Sequence, residues 1–413
     1  MGRFFLVSDR AVLPSSLPPY PLMVLILGLL ACVAPATIDA YLPAFSALER
    51  EFQVPPESVQ QTLGVYMSAY AVMLLLHGTL SDAWGRKPVI LASLLVYITG
   101  SVMAALAPSM DWLLAARVLQ GLSAGAGLVI GQAMVRDCYQ GEQAQRTLSY
   151  IVVVFNVSPA LAPIVGGQLI AHVGWRSVFW MLAVLAAAAC YLCMRCLPET
   201  LPSSKRQPLA WRQLRSDIAQ LLGDVSFMGM SLALSLLVGA QAFLIGAAPD
   251  FISRTLNLPE TAFAVLFVPL VIGAMLGALA SAHLVRHWGD IKIIRRAYGL
   301  MLSSCMAYTW YLASAAHPAL PWAVLLPAFF TAGLAMLMPV VTMRILAQVP
   351  SRAGLAASLL GFCQMTTFSV VSGWLVPWVY GQPLRMSAAM LTCVVLSAIS
   401  WFWLQQGADR RPA

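Results

Sequence analysis

The chain has 413 residues, 60% hydrophobic and 10% charged, with a formal net charge of +8 and a mean hydropathy of +0.80. A soluble domain has about a quarter of its residues charged, so a water-solvated globule is excluded: no polar shell could cover this much apolar surface. The basic residues fall in loops between apolar runs, which points to membrane topology and away from nucleic acid.

A helix needs roughly 20 mainly apolar residues to cross the hydrocarbon of a bilayer. Such runs predict twelve helices, at 20–43, 58–80, 88–107, 112–135, 149–171, 177–197, 226–248, 262–284, 297–315, 322–347, 355–379 and 386–405. The expected fold class is therefore an all-α membrane protein with twelve transmembrane helices in two pseudo-symmetric six-helix bundles. Residues 1–19 are polar, with Arg3, Asp9 and Arg10, and no small-residue cleavage site follows a short apolar core. They are expected to form a tail ahead of a first bundle at 20–197. Residues 198–225 read as a linker, broken by Pro198, Pro202 and Pro208 and carrying Lys205, Arg206, Arg212 and Arg215, with a short surface helix around Trp211–Leu222. A second bundle at 226–405 and a tail at 406–413 complete the expected domains. Of the 24 lysines and arginines, Arg50, Arg176, Arg254 and Arg385 fall on one side and Arg117 within a span, leaving 19 on the other side. Basic loops stay in the cytoplasm, so a multi-pass protein of a bacterial inner membrane with both termini cytoplasmic is expected.

The two halves repeat each other. Leu42-Pro43-Ala44-Phe45 answers to Ala248-Pro249-Asp250-Phe251, Pro56-Glu57-Ser58 to Pro259-Glu260-Thr261, and Trp84-Gly85-Arg86-Lys87 to Trp288-Gly289-Asp290-Ile291-Lys292. Three matches in order at offsets of 206, 203 and 204 residues are not a chance pattern. Parallel six-helix halves are the architecture of one large transporter class.

The strongest local signal is GTLSDAWGRKP from Gly78 to Pro88, where the second helix meets the cytoplasm. Gly78 and Gly85 permit a tight turn, Asp82 is a ready acceptor for an arginine or backbone amides, and Arg86 and Lys87 hold the loop inside. This run resembles the loop signature of the major facilitator superfamily. Leu114–Gly121, with Arg117 and Gln120, resembles that superfamily's helix-four arginine motif. Ser158–Gly167, with Pro159, Pro163, Gly166 and Gly167, resembles the antiporter motif of its drug exporters, with Ser158 where a glycine is common. Ile38–Pro43, Arg136-Asp137, Gly174-Trp175-Arg176 and Leu197-Pro198-Glu199-Thr200 resemble the bicyclomycin/chloramphenicol-resistance subfamily. The resemblance spans the chain and implies proton-coupled efflux of amphipathic drugs. It also implies that Asp82 meets the start of helix eleven, near Arg352–Leu355, when the cavity opens outward. The second-half copy of the loop has lost the aspartate at the Asp82 position. The prolines and glycines of helix five also read as ordinary membrane-helix packing.

Asp39 is the one carboxylate expected inside the first-half helices away from their cytoplasmic ends, and a charge at that depth marks a function or a partner. Arg117 lies at matching depth on helix four, both about 7 Å below the outer surface at 1.5 Å per residue. A contact between them would make a site able to change protonation, the expected proton-coupling pair. Asp39 reaching water, and Arg117 as an interhelical brace, are the structural alternatives. Tyr66, Tyr70, Gln120, Asn156, Gln241, Met336, Met338 and Gln364 are candidates for a substrate cavity of aromatic, thioether and amide character.

Neither a catalytic constellation nor a phosphate-binding loop occurs. Cys190, Cys193 and Cys196 sit within a span and read as packing residues, so no metal and no cofactor is expected. The expected partners are a small-molecule substrate, protons and membrane lipid, and the expected state is a monomer. The function read here is a proton-coupled antiporter that exports amphipathic compounds. A transporter of one defined metabolite, such as a nucleoside, sugar or amino-acid derivative, is the alternative.

Overall fold

The structure, a computed structural model, describes residues 18–315 and 317–408. Among the described residues all regular structure is helical. The long helices are α1 (Tyr20–Asp39), α2 (Pro56–Trp84), α3 (Arg86–Ala105), α4 (Met110–Cys138, interrupted at Gly125), α5 (Gly141–Val173), α6 (Arg176–Cys196), α7 (Val225–Gly246), α8 (Phe263–Trp288), α9 (Asp290–Ser314), α10 (Trp322–Ala347), α11 (Ala353–Val370) and α12 (Pro383–Ala408). A short helix, Phe45–Phe52, follows α1, and the helix Trp211–Gly223 lies in the linker. Beyond their regular turns α7 and α11 continue through wide π-type turns, Phe251–Thr255 and Val371–Leu375.

Among the described residues eleven helical segments are long and apolar enough to cross a membrane. α9 falls short because it opens on Asp290, Lys292, Arg295 and Arg296 and then carries Ser303, Ser304, Tyr308, Thr309 and Tyr311. It packs against α10 and α12. Two of its polar groups find partners there: Ser304 donates to the Leu326 carbonyl at 2.6 Å and Tyr298 shares a 2.9 Å hydrogen bond with Ser397, while the Tyr308 hydroxyl is buried without one among the described residues. Inside a bilayer such partners are the condition for tolerating polar side chains.

Several helices outrun their apolar windows. α5 starts at Gly141 rather than at 149, and α2 and α8 run to Trp84 and Trp288 rather than to 80 and 284. Hydrophobicity ends at the water boundary, whereas a helix ends where its backbone is stopped. The stop is a glycine at positive φ: Gly85 (105°) after α2 and Gly289 (70°) after α8.

Within the first six helices, α1 packs on α5, α2 on α4, and α3 on α4 and α6; within the last six, α7 packs on α11 and α12, and α8 and α9 on α10. Small residues set these approaches. At Gly121 the Tyr66 carbonyl, and at Gly277 the Ala332 carbonyl, occupies the place of a Cβ. Without a hydrophobic force between helices in lipid, such close backbone contact supplies the attraction. Between the two sets, α2 packs on α11 and α5 on α8.

The Gly277 contact generates a prediction. Gly277→Val forces α8 and α10 apart and is expected to cost about 1–3 kcal/mol, read as a lowered Tm in detergent. Gly299→Ala, which meets open space on α9, is expected to leave Tm unchanged or slightly raised. Equal effects would refute the close-approach account.

Candidate functional site

The ends of the helices that adjoin residues 197–225 define one side, the linker side; the opposite ends define the far side. On the linker side the Gly78–Pro88 loop is a dense polar junction. Gly85 turns the chain at positive φ with Glu199 and Arg206 against it. The Glu199 carboxylate accepts from the amides of Arg86 (3.0 Å) and Lys87 (3.3 Å), capping the N-terminus of α3. Arg86 is almost fully buried and donates to Ser81 (2.7 Å), Asp82 (2.5 Å) and Asp137 (3.1 Å). Thr200 donates to the same Asp137 oxygen at 3.0 Å, and Lys87 reaches the Met194 carbonyl at 3.0 Å. Asp82 thus meets Arg86, while Arg352 is held by Asp217 (3.2 Å) and Gln220 (2.6 Å) of the linker helix.

Asp137, Glu199 and Thr200 are partners in this junction that residue-type reasoning left without a role. Their signal was present, because they stand in the Arg136-Asp137 and Leu197–Thr200 runs. What the sequence withheld was that both runs fold onto Arg86.

The helix-four arginine lies in the middle of the first six helices. Arg117 is fully buried, with its guanidinium carbon 4.6 Å from the Tyr41 ring centre and 4.4 Å from that of Tyr66. Its Nη1 donates to Gln120 at 2.9 Å and its Nε to the Thr62 carbonyl at 3.4 Å; Nη2 has no partner. Gln120 in turn donates to Ser101 of α3 at 2.9 Å. Tyr41 shares a 2.8 Å hydrogen bond with Thr62, Tyr66 donates to the Ala34 carbonyl at 3.3 Å, and Thr37 pairs with Tyr97.

The expected Asp39–Arg117 contact is not made. Asp39 ends α1, 4% exposed, and among the described residues no cation lies within ion-pair distance of it. Matching depth says nothing about azimuth. Arg117 faces two tyrosine rings and polar acceptors on α2 and α4, which stand in for water around a planar, weakly hydrated guanidinium except at Nη2.

The α5 run lies beside Asp39 instead. Pro159 and Pro163 sit inside α5, and at Gly166 the Ala40 carbonyl occupies the place of a Cβ. Gly167 is buried in the same turn. The motif therefore brings α5 onto the backbone of the residue after Asp39.

The cavity candidates divide. Tyr66 stacks with Tyr70 at 6.3 Å, and Tyr66 and Gln120 belong to the Arg117 cluster rather than to an open wall. Met336 and Gln364 are buried, Gln241 and Met338 half-buried, and among the described residues no hydrogen bond joins either glutamine to that cluster. The side chain of Asn156 lies outside the described residues.

On the far side the two sets of helices lock together. Gly64 lies against Gly373; Ser369 donates to the Gly64 carbonyl at 2.8 Å, and its hydroxyl is 2.6 Å from that of Ser68. Tyr380 donates to Gln60 at 2.6 Å, and Arg254 approaches Glu49 at 3.8 Å. On the linker side, by contrast, the ion pairs Arg86–Asp82, Arg86–Asp137, Arg206–Glu199, Arg344–Asp290 and Arg352–Asp217 each stay within one set of helices and the adjoining linker.

The sequence profile of the Major Facilitator Superfamily matches residues 27–372. The chain belongs to that superfamily. Its relatives include a bicyclomycin resistance protein homolog of Haemophilus influenzae, 25% identical over 93% of this chain and 96% of that one. Multidrug resistance protein D of Escherichia coli is 28% identical over 83% of this chain and 85% of its own length. Among solved structures, the human organic anion transporter MFSD10 (TETRAN) superposes with a TM-score of 0.72 at 19% identity, covering 94% of this chain and all of that one; this likeness speaks to fold. The resemblance to the bicyclomycin/chloramphenicol-resistance group is thereby borne out, and the chain is a transporter rather than an enzyme.

The Glu199 cap can be tested. Glu199→Ala removes the acceptor of two α3 amides and is expected to cost about 0.5–2 kcal/mol, seen as a lower Tm in detergent. Glu199→Gln keeps an acceptor and is expected to lose less. An unchanged Tm for the alanine variant would remove Glu199 from the junction.

Proposed function

We propose that the protein is a secondary active transporter of twelve membrane helices in two pseudo-symmetric six-helix bundles, exporting small amphipathic drugs or xenobiotics by proton-coupled antiport. The observation that carries this reading is the one-sided closure. Bundle meets bundle through Gly64–Gly373, Ser68–Ser369 and Gln60–Tyr380 on the far side, with polar ties on the linker side kept within each half. Such a molecule presents its interior to one side at a time, as alternating access around a central site requires. The names of its relatives, bicyclomycin and multidrug resistance proteins, support export as the direction. The basic excess of the linker side supports that side as cytoplasmic, in a bacterial inner membrane with both termini inside.

The coupling reading rests on Asp39. It is a buried acid without a counter-charge in the state closed on the far side, adjoining the Gly166 contact between α1 and α5. Its distance from the far-side closure changes as that closure opens, so its access to water changes with the conformation. Arg117 serves as the fixed centre of the first bundle rather than as its ion-pair partner in this state. Asp82 is proposed to balance the two conformations from the linker side, and Asp82→Asn to slow turnover without weakening substrate binding.

Asp39→Asn is expected to abolish uphill export driven by a pH gradient in proteoliposomes while substrate still binds. Proton release on substrate addition at the wild-type stoichiometry in that variant would assign the proton to another group. Counterflow with a panel of compounds separates broad export from transport of one metabolite. A further test concerns the closure itself. The Ser68→Cys/Ser369→Cys pair, whose hydroxyls stand 2.6 Å apart, is expected to cross-link under oxidation and stop transport, with reduction restoring it. Full transport by the cross-linked protein would contradict alternating access through this closure.

A further inference from the structure

α4 is interrupted at Gly125, between Met110–Ala124 and Ala126–Cys138, and His77 of α2 lies beside the interruption. A Cβ at position 125 would stand 3.5 Å from the His77 Nδ1 and 3.1 Å from the Tyr70 ring. His77 is fully buried, and neither ring nitrogen has a hydrogen-bond partner. An imidazole always carries at least one donor, and when neutral an acceptor as well. Burying both without partners is unfavourable, and such a group calls for an explanation in the protein's other states.

The neighbouring backbone supplies one. The Gly125 amide is directed to the Ser123 carbonyl and not to the carbonyl four residues back, so α4 has left its regular ladder here. At the same level a cavity of about 10 Å³, lined by Leu30, Ser93, Tyr97, Ser123 and Gly127, adjoins the break. That is room for about one water. Here α4 is irregular and borders a small void, while the Leu30 carbonyl against Gly127 pins the turn that follows, so a change of bend falls at Gly125.

The charged groups around His77 are few. On its own helix Tyr70 lies toward the far side, and Ser81 and Asp82 about one turn toward the linker side. On α4, Arg117 is held by its tyrosines, and Arg136 and Asp137 lie near the linker-side end. On α3, Tyr97 pairs with Thr37, and Arg86 reaches Ser81 at 2.7 Å and Asp82 at 2.5 Å. Along 20–38 of α1 and 353–370 of α11 there is no acidic or basic side chain; their titratable groups are Tyr20, Cys32 and Cys363. His77 thus stands between the Arg117 cluster and the Arg86–Asp137 junction, unpaired with either.

We propose that His77 is a second proton-binding group of the transport cycle: it holds a proton while the far side is open, bonded to α4 backbone carbonyls exposed at the Gly125 break, and yields it toward the linker side as the far side closes. The transfer is a single proton from imidazolium to water, leaving a neutral ring in the unpartnered setting seen here. This rests on the antiport reading and adds a carrier distinct from Asp39.

The experiment measures substrate-induced proton release in detergent between pH 5.5 and 8 for the wild type, Asp39→Asn, His77→Gln and the double variant. His77→Gln is expected to lose the part of the release that titrates near neutrality, where a histidine acts; Asp39→Asn retains that part, and the double variant loses both. No release from the wild type would overturn the antiport reading. Release by the wild type matched by His77→Gln at every pH would overturn the His77 proposal and leave antiport standing. A protein in which His172, His283, His287 and His317 are replaced, leaving His77 as the one histidine, covers the case in which His77→Gln fails to fold. Nitrogen NMR of its imidazole is expected to show a neutral ring throughout that pH range when the Ser68–Ser369 cross-link holds the far side shut. A protonated fraction should appear at the acidic end once the link is reduced. The same titration in both states would refute the proposal.

Discussion

A bare guanidinium buried in a membrane protein must be solvated by the protein itself, and Arg117 shows how this chain does so. Two tyrosine rings face it, an amide oxygen and a backbone carbonyl accept from it, and its supports come from separate helices: Tyr41 after α1, Thr62 and Tyr66 on α2, and Ser101 on α3 through Gln120. Moving any one of these helices alone exposes an unsolvated charge. The helices that supply these groups, α1 to α4, are therefore bound to move together, and whatever rearranges in transport must do so elsewhere or at a weak point among them.

The close glycine contacts extend that constraint. Gly121 against the Tyr66 carbonyl and Gly166 against the Ala40 carbonyl fix α4 on α2 and α5 on α1 at backbone distance. The weak point is Gly125, where α4 loses its ladder beside an unpartnered histidine. The contacts between halves have another character: Gly64 on Gly373 and a pair of serine hydroxyls present little side-chain interlock. Few interdigitated groups have to be withdrawn when such a surface parts.

Much of this was legible in the sequence. Apolar runs located the helices, though α9 was readable only as a weaker span, since Tyr298 and Ser304 find partners on α12 and α10 that composition does not reveal. Helix ends were misplaced where glycine rather than polarity sets the stop, as at Gly85 and Gly289. The loop motif located Asp82 and Arg86, while Asp137 and Glu199, 51 and 113 residues along the chain from Arg86, became partners through folding. Asp39 and Arg117 stood at matching depth in sequence, yet helix rotation aims Arg117 at Tyr41 and Tyr66, and rotation is set by packing. His77 looked like any scattered histidine because its meaning lies in the broken backbone opposite.

The linker is fastened at two points. The Gln207 amide donates to the Asp82 carbonyl at 3.1 Å, and Asp217 and Gln220 hold Arg352 at the start of α11. Between the fastenings lie a few extended residues and the first turns of the Trp211–Gly223 helix. At about 3.5 Å per extended residue and 1.5 Å per helical one, the stretch spans roughly 20 Å. The connection is thus a tether of fixed length, and it sets an upper limit on how far the linker-side mouth can gape before one of its knots must slip.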